Sequence, residues 1–173
     1  MGKNAVEISK LDVTELLSQL NAALAEEWLA YYQYWIGARI MEGPQRTAIE
    51  PELLTHANEE LGHAEKLATR IIQLEGTPVL DPKEWFKLAA CTYEAPNDPY
   101  VEVILKQNLK SERCAIQRYQ SLADLTIGKD YATYQLAVGI LDEELEHEED
   151  LESWLKDFAQ LKRDMDLLLK KGK

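Results

Sequence analysis

Four stretches of this chain repeat apolar residues at alternating intervals of three and four, and in the middle of each apolar stripe stands a glutamate. The stripes read Leu16, Leu20, Ala23 or Leu24, Glu27, Tyr31, Tyr34, Ala38; Leu53, Ala57, Glu60, Ala64, Leu67, Ile71, Leu74; Val101, Leu105, Asn108, Glu112, Ala115, Tyr119, Leu122; and Ala137, Ile140, Glu144, His147, Leu151, Trp154, Phe158, Leu161. That period is the buried face of a bundle helix. A lone carboxylate on such a face costs several kcal/mol or is forced to take up a proton. Each glutamate must therefore snorkel to solvent or meet something cationic, either a metal ion or an arginine such as Arg39, Arg70, Arg113 or Arg118.

Two of the four glutamates carry a histidine three residues on, Glu60-x-x-His63 and Glu144-x-x-His147. Residues three apart share a helix face, so a carboxylate and an imidazole can grip one metal ion from the same side. Glu60 follows Glu27 by 33 residues and Glu144 follows Glu112 by 32, which makes the pattern an internal repeat of a helical hairpin. Two hairpins packed seam to seam place four carboxylates and two imidazoles around one point, the arrangement of ferritin-like di-iron and di-manganese carboxylate bundles. The expected fold is all-α: a ferritin-like four-helix bundle, one domain over residues 1–173, with a long crossover containing a short helix between the second and third helices.

Helix punctuation agrees. Asp12, with Glu15 three residues on, opens a first helix that runs to about Glu42 before Gly43-Pro44. The second starts between Thr47 and Pro51 and reaches about Glu75, with Gly76-Thr77-Pro78 as its stop. Asn97-Asp98-Pro99 opens the third, which ends at Ile127-Gly128. The fourth begins near Lys129 or Asp130, and from Trp154 it continues through Leu167 to Leu169 without a Gly or Pro break. Between the second and third, Asp81-Pro82-Lys83-Glu84 opens a short helix through about Ala90. The remainder of that connection, at roughly 3.3 Å per extended residue, can cross the bundle end to end and set the third helix parallel to the second.

Composition removes several classes. A net charge of −12 disfavours a nucleic-acid-binding body and suits cationic partners. Two cysteines, Cys91 and Cys114, cannot make a four-cysteine zinc or rubredoxin-type site. The N-terminal Met1-Gly2-Lys3-Asn4-Ala5-Val6 has neither the apolar core of a signal peptide nor the Ser or Thr of a myristoylation site. No run approaches a membrane span, so a soluble cytoplasmic protein is expected. Read without any relative, the cysteines are small buried residues or redox partners.

Oxygen and imidazole ligands without thiolate suit Fe, Mn or Zn. Four ionised glutamates balance two divalent ions when both histidines are neutral, so the filled site is neutral and the empty one strongly acidic. Glu60 and Glu144 are assigned as bridging carboxylates, Glu27 and His63 as completing one ion, and Glu112 and His147 the other. Tyr34 and Tyr119 each follow a seam glutamate by one heptad, either as core packing or as hydroxyls beside the metals. His56, one heptad before His63, is a partly exposed polar residue or a neighbour of the site.

The stretches Asn21-Ala22-Ala23-Leu24-Ala25-Glu26-Glu27, Glu60-Leu61-Gly62-His63-Ala64-Glu65-Lys66-Leu67, Glu112 and Asp142-Glu143-Glu144-Leu145-Glu146-His147 resemble bacterioferritin. In bacterioferritins the residue after the second-helix glutamate is the methionine that ligates haem. Here it is Leu61, so no haem is expected. The connection from Asp81 to Pro99, followed by Glu112-Arg113-Cys114-Ala115, resembles the Dps-like thioferritins. That resemblance implies a bacterioferritin-type di-iron centre, a redox pair at Cys91 and Cys114 beside it, and a dodecameric homo-oligomeric cage. It also implies ferroxidase activity, in which Fe(II) is oxidised by hydrogen peroxide or dioxygen and stored as Fe(III). A di-manganese catalase or a rubrerythrin-like peroxidase is the alternative for the same ligands. DNA association is not expected, and the basic Lys170-Lys171-Gly172-Lys173 reads as a solubilising end. The unbroken fourth helix argues against a separate fifth helix, and Trp85 and Phe86 in the crossover are candidates for an interface.

Overall fold

The computed structural model describes residues 4–171, with side chains to residue 170. Gly172 and Lys173 of the basic tail, and Met1 to Lys3 of the N-terminal stretch, lie outside the described residues. A single turn, α1 (Asn4–Glu7), precedes the first long helix, and the sequence reading did not anticipate it. The bundle consists of α2 (Val13–Ile40), α3 (Arg46–Gln73), α5 (Val101–Thr126) and α6 (Tyr131–Lys171). In the crossover a 3-10 turn at Pro82–Glu84 runs into the short α4 (Trp85–Leu88), two residues shorter than expected. Among the described residues no helix is long and apolar enough to cross a membrane.

The helix ends follow from local chemistry. Asp12 accepts a hydrogen bond from the Thr14 N–H at 2.8 Å, and Asp81 accepts one from Lys83 N–H at 3.0 Å, each covering an orphan donor of a first turn. Asp130 does the same for Thr133 N–H at 2.9 Å. The start of α3 departs from expectation: it begins at Arg46, behind a left-handed Gln45, and carries Pro51 inside the helix. Its far end closes with paired bonds, Gly76 N–H to Ile71 C=O and Glu75 N–H to Ile72 C=O. The left-handed residue there is Glu75 (φ 59°), and Gly76 is required for another reason. A Cβ at Gly76 would stand 2.3 Å from Leu17 Cδ2.

The crossover sets the topology. Glu42, just past α2, bonds with the strand-like residues before α5 through Glu42 N–H to Pro99 C=O at 2.8 Å and Val101 N–H to Glu42 C=O at 2.9 Å. The chain leaving the end of α3 thus returns to the opposite end of the bundle, so α5 runs parallel to α3. Two apolar clusters fill the interior. One is built on Leu16, Leu20, Leu67, Ile71, Leu122 and Ile140, the other on Met41, Ile49, Leu53, Ile104, Leu105 and Leu151. Between them lies the layer of glutamates and histidines. The seam of α6 is buried only as far as Phe158, and Leu161, expected on it, is exposed. Trp85 folds back on Trp28 as a parallel stack at 5.5 Å, whereas Phe86 is exposed.

Candidate metal centre

Each bundle helix delivers one carboxylate to the mid-layer, and α3 and α6 add one imidazole each. Glu27, Glu60, His63, Glu112, Glu144 and His147 are all buried. Their donor atoms form two groups, Glu27–Glu60–His63–Glu144 and Glu60–Glu112–Glu144–His147, and within each the atoms lie within 4.8 Å of one another. Glu60 and Glu144 belong to both groups. They are the two residues expected as bridging carboxylates.

The imidazoles present Nδ1 inward. His63 Nδ1 is 3.3 Å from Glu27, 3.2 Å from Glu60 and 3.2 Å from Glu144; His147 Nδ1 is 3.3 Å from Glu60, 3.7 Å from Glu112 and 3.5 Å from Glu144. Their outward Nε2 atoms are held by two carboxylates that sequence reasoning missed. His63 Nε2 donates to Glu143 at 2.6 Å, and His147 Nε2 donates to Glu59 at 2.9 Å. Glu143 also accepts from Lys66 Nζ at 2.9 and 3.0 Å. Such outer partners fix the ring and its tautomer, leaving Nδ1 free to bind. The pairing is crossed, with Glu59 of α3 holding the α6 histidine and Glu143 of α6 holding the α3 histidine.

The tyrosines are crossed in the same way. The Tyr34 hydroxyl of α2 donates to Glu112 of α5, and the Tyr119 hydroxyl of α5 donates to Glu27 of α2. Both phenols are pushed up, first by burial and then by these carboxylates. His56 is buried rather than partly exposed. It stacks on His147 with ring centres 4.2 Å apart, and its Nε2 is 3.4 Å from Asp150. Burial and the neighbouring His147 lower its pKa.

Among the described residues no arginine compensates the seam. Arg39 meets Glu50, Arg70 meets Asp130 at 2.7 Å, Arg113 meets Glu148 and Glu152, and Arg118 meets Glu26 at 2.8 Å. The four seam glutamates are left to the histidines, the tyrosines and one another. Burial raises Glu27 and Glu112 well above the ordinary carboxylate range, and the charges of Glu60 and Glu144 add to it. Burial would raise Glu60 too, but the imidazoles of His147 and His63 beside it outweigh that and lower its pKa. Both histidines are raised, because surrounding carboxylates overcome the burial that opposes their charge. Five buried atoms of the centre, Glu27 Oε2, Glu60 Oε1, both Glu144 oxygens and His147 Nδ1, have no hydrogen-bond partner. Buried polar atoms are rarely left so. Five converging on one layer fit a cation bound among oxygen and imidazole donors.

With this geometry in hand, the Ferritin family, described as the ferritin-like domain, matches residues 17–161. The chain belongs to the ferritin-like family. It is 39% identical over 147 residues to the DNA protection during starvation protein of Pyrococcus furiosus, covering 84% of this chain and 80% of that one. It is 29% identical over 149 residues to the bacterioferritin of Brucella melitensis, covering 85% and 86%. Among solved structures, a dodecameric thioferritin, the bacterioferritin-related protein of Bacteroides fragilis, superposes with a TM-score of 0.93 at 54% identity, covering 94% of this chain and 98% of that one.

In this ferritin-like chain the crossover is tied down beside the centre. Cys91 and Cys114 form a disulfide with Cα atoms 5.7 Å apart, joining the crossover to α5 two residues past Glu112. Glu26, next to Glu27, accepts from the Ala90 and Cys91 N–H groups at 2.7 and 3.3 Å and from the Arg118 guanidinium. The sequence signal for Glu26, Glu59 and Glu143 is a common one: each is the first member of a Glu-Glu doublet whose second member is a seam glutamate.

Proposed function

We propose that this protein is a ferroxidase and iron-storage protein acting against oxidative stress, with a di-iron carboxylate centre inside each subunit. The observation that carries the reading is the pair of overlapping donor groups that share Glu60 and Glu144 and hold five partnerless buried atoms. Glu27, Glu60, His63 and Glu144 hold one iron, and Glu60, Glu112, Glu144 and His147 the other; Mn or Zn fits the same donors. Iron bound there is substrate. Two Fe(II) each give one electron, and hydrogen peroxide or dioxygen accepts the pair. Glu60 and Glu144 keep the two ions adjacent, so both electrons are available to one oxidant molecule. Glu59 and Glu143 hold the imidazoles in register, and the surrounding apolar clusters exclude bulk water.

The assembly belongs to the same proposal. A dodecameric cage, as described for the Bacteroides fragilis relative, gives the Fe(III) product an enclosed volume, and the strongly acidic chain suits a cavity that draws cations inward. The disulfide stands beside the centre as a redox pair, and Tyr34 and Tyr119 orient the outer carboxylates.

The test is Fe(II) oxidation by peroxide and by dioxygen in wild type, Glu27→Ala, Glu60→Ala and Glu144→Ala, together with metal content per chain and particle mass. Loss of rapid oxidation in folded variants, two metal ions per wild-type chain and a mass near twelve chains are expected. A wild-type rate in Glu60→Ala would remove that residue from the centre. Stoichiometric manganese in a small oligomer would instead favour a catalase or peroxidase of the same ligand set.

A further inference from the structure

The seam of α6 does not stop where the bundle stops. Its three-four alternation runs from Ala137 to Phe158 and continues in register through Leu161, Met165 and Leu168. Phe158 is 3% exposed, whereas exposure climbs from 44% at Leu161 through 63% at Met165 to 70% at Leu168. Leu167 and Leu169 beside them are exposed as well. α6 has 41 residues against 26 to 28 in the other bundle helices, so it overshoots the end that Met41, Ile49 and Val101 close. At about 1.5 Å per residue, the helix beyond Phe158 is roughly 20 Å long. The family match ends at residue 161, so all but the first three residues of this overhang lie beyond the matched domain.

An apolar stripe with this spacing fits another helix of the same spacing, whose side chains enter the holes between its own. Every copy of the chain carries one. The flanking charges choose the direction. With Phe158, Leu161, Met165 and Leu168 as the contact positions, Asp157 and Lys162 are the edge residues that face each other between parallel copies, an attractive pair. An antiparallel pairing centred on the overhang would instead set Asp164 against Asp164. Lys162 is also fixed at the base of the overhang, where it reaches Glu102 of its own chain at 2.7 Å.

We propose that residues 158–169 of α6 form a parallel helical coil with the same segment of neighbouring copies of this chain, around a symmetry axis of the assembly. Residues at the axis then meet their own counterparts, as closed symmetry requires. The inference rests on copies of the chain associating and does not depend on the metal centre.

The chain is well suited to a thiol test, because its two cysteines are already joined to each other. Met165→Cys places one free thiol on the stripe, and Arg163→Cys places one on the opposite face of the same turn. A disulfide needs Cα atoms roughly 4.4–6.8 Å apart. Mild oxidation of the purified full-length protein, followed by non-reducing electrophoresis, is expected to give at least tenfold more two-chain product from Met165→Cys than from Arg163→Cys. Adding Leu161→Glu and Leu168→Glu to the Met165→Cys chain should bring its cross-linking down to the Arg163→Cys level. Equal cross-linking of the two single-thiol proteins, or cross-linking of Met165→Cys that survives both glutamates, overturns the proposal.

Discussion

Loading the centre with metal should release about four protons per chain. The two donor groups contain five close carboxylate pairs: Glu27 with Glu60 and Glu144, Glu112 with Glu60 and Glu144, and Glu60 with Glu144. Two unit charges 4.8 Å apart repel by about 3.5 kcal/mol at an effective dielectric of 20, so five ionised pairs would cost roughly 17 kcal/mol. That exceeds the whole stability of an ordinary domain, about 5–15 kcal/mol. No lysine or arginine among the described residues reaches these carboxylates, so protons must balance them. His63, His147, Glu27 and Glu112, whose pKa values are raised by burial or by the surrounding carboxylates, are the four groups that would carry those protons, and Glu60, whose pKa is lowered by the two imidazoles, would stay ionised. Two divalent ions then displace four protons, two per ion. The sign follows: a group with a raised pKa keeps its proton until the pH passes that raised value, so lowering the pH weakens loading. Affinity per ion should climb about 100-fold per pH unit while two protons leave with each ion. Anaerobic titration with Zn(II) or Co(II) in weakly buffered indicator near neutral pH reads the count without redox chemistry. Release of one proton or fewer per ion, or an affinity flat with pH, would refute the charge argument.

The crossed carboxylates give a second expectation: Glu59→Gln and Glu143→Gln should each weaken Co(II) binding by about 10–100-fold, followed by absorption titration, and unchanged affinity in both would deny them an orienting role. Asp130→Asn leaves Arg70 buried without its counter-charge and should cost about 3–5 kcal/mol in urea unfolding. Burial opposes ionisation of Asp130, but the Thr133 N–H and Arg70 outweigh it and depress its pKa. Its contribution is therefore complete above the ordinary carboxylate pKa and disappears as pH falls through the depressed value, where wild type and variant should converge. Reducing the Cys91–Cys114 bridge, or Cys91→Ser, should lower stability by about 3 kcal/mol for a loop of this length while the metal stoichiometry holds, as thermal melts with and without reductant would report.

The convergence of the six residues on one layer was legible because each glutamate interrupts a seam whose apolar members sit three and four apart. The partners of those donors were not. Glu59 and Glu143 stand one residue away from the seam, about 100° round the helix, where an acidic residue looks like ordinary solvated surface. Their role depends on the register of α3 against α6, which no single helix carries. Tyr34 and Tyr119 were placed on the right face, but which glutamate each would reach is again a matter of helix pairing. Arg118 was considered as a counter-charge for the seam and lies one residue off it, on Glu26. The pairing of Cys91 with Cys114 came from resemblance, and the disulfide itself was not read from the sequence, since nothing local fixes where a long crossover lays Cys91 against α5. Leu161 continued a correct period past the point where the bundle ends, because a period records which face is apolar and not how far its neighbours extend.

The crossing of the supports has a consequence for how this protein can fail and how it can be divided. The glutamate that steadies His63 belongs to the second hairpin, and the one that steadies His147 belongs to the first. Each phenol likewise serves the outer carboxylate of the opposite hairpin. Half of the chain is therefore not half of a centre: an isolated hairpin lacks one shared carboxylate, the brace for its own imidazole and the hydroxyl for its own glutamate. A substitution in either hairpin should disturb both donor groups, and the centre should be gained or lost as a unit.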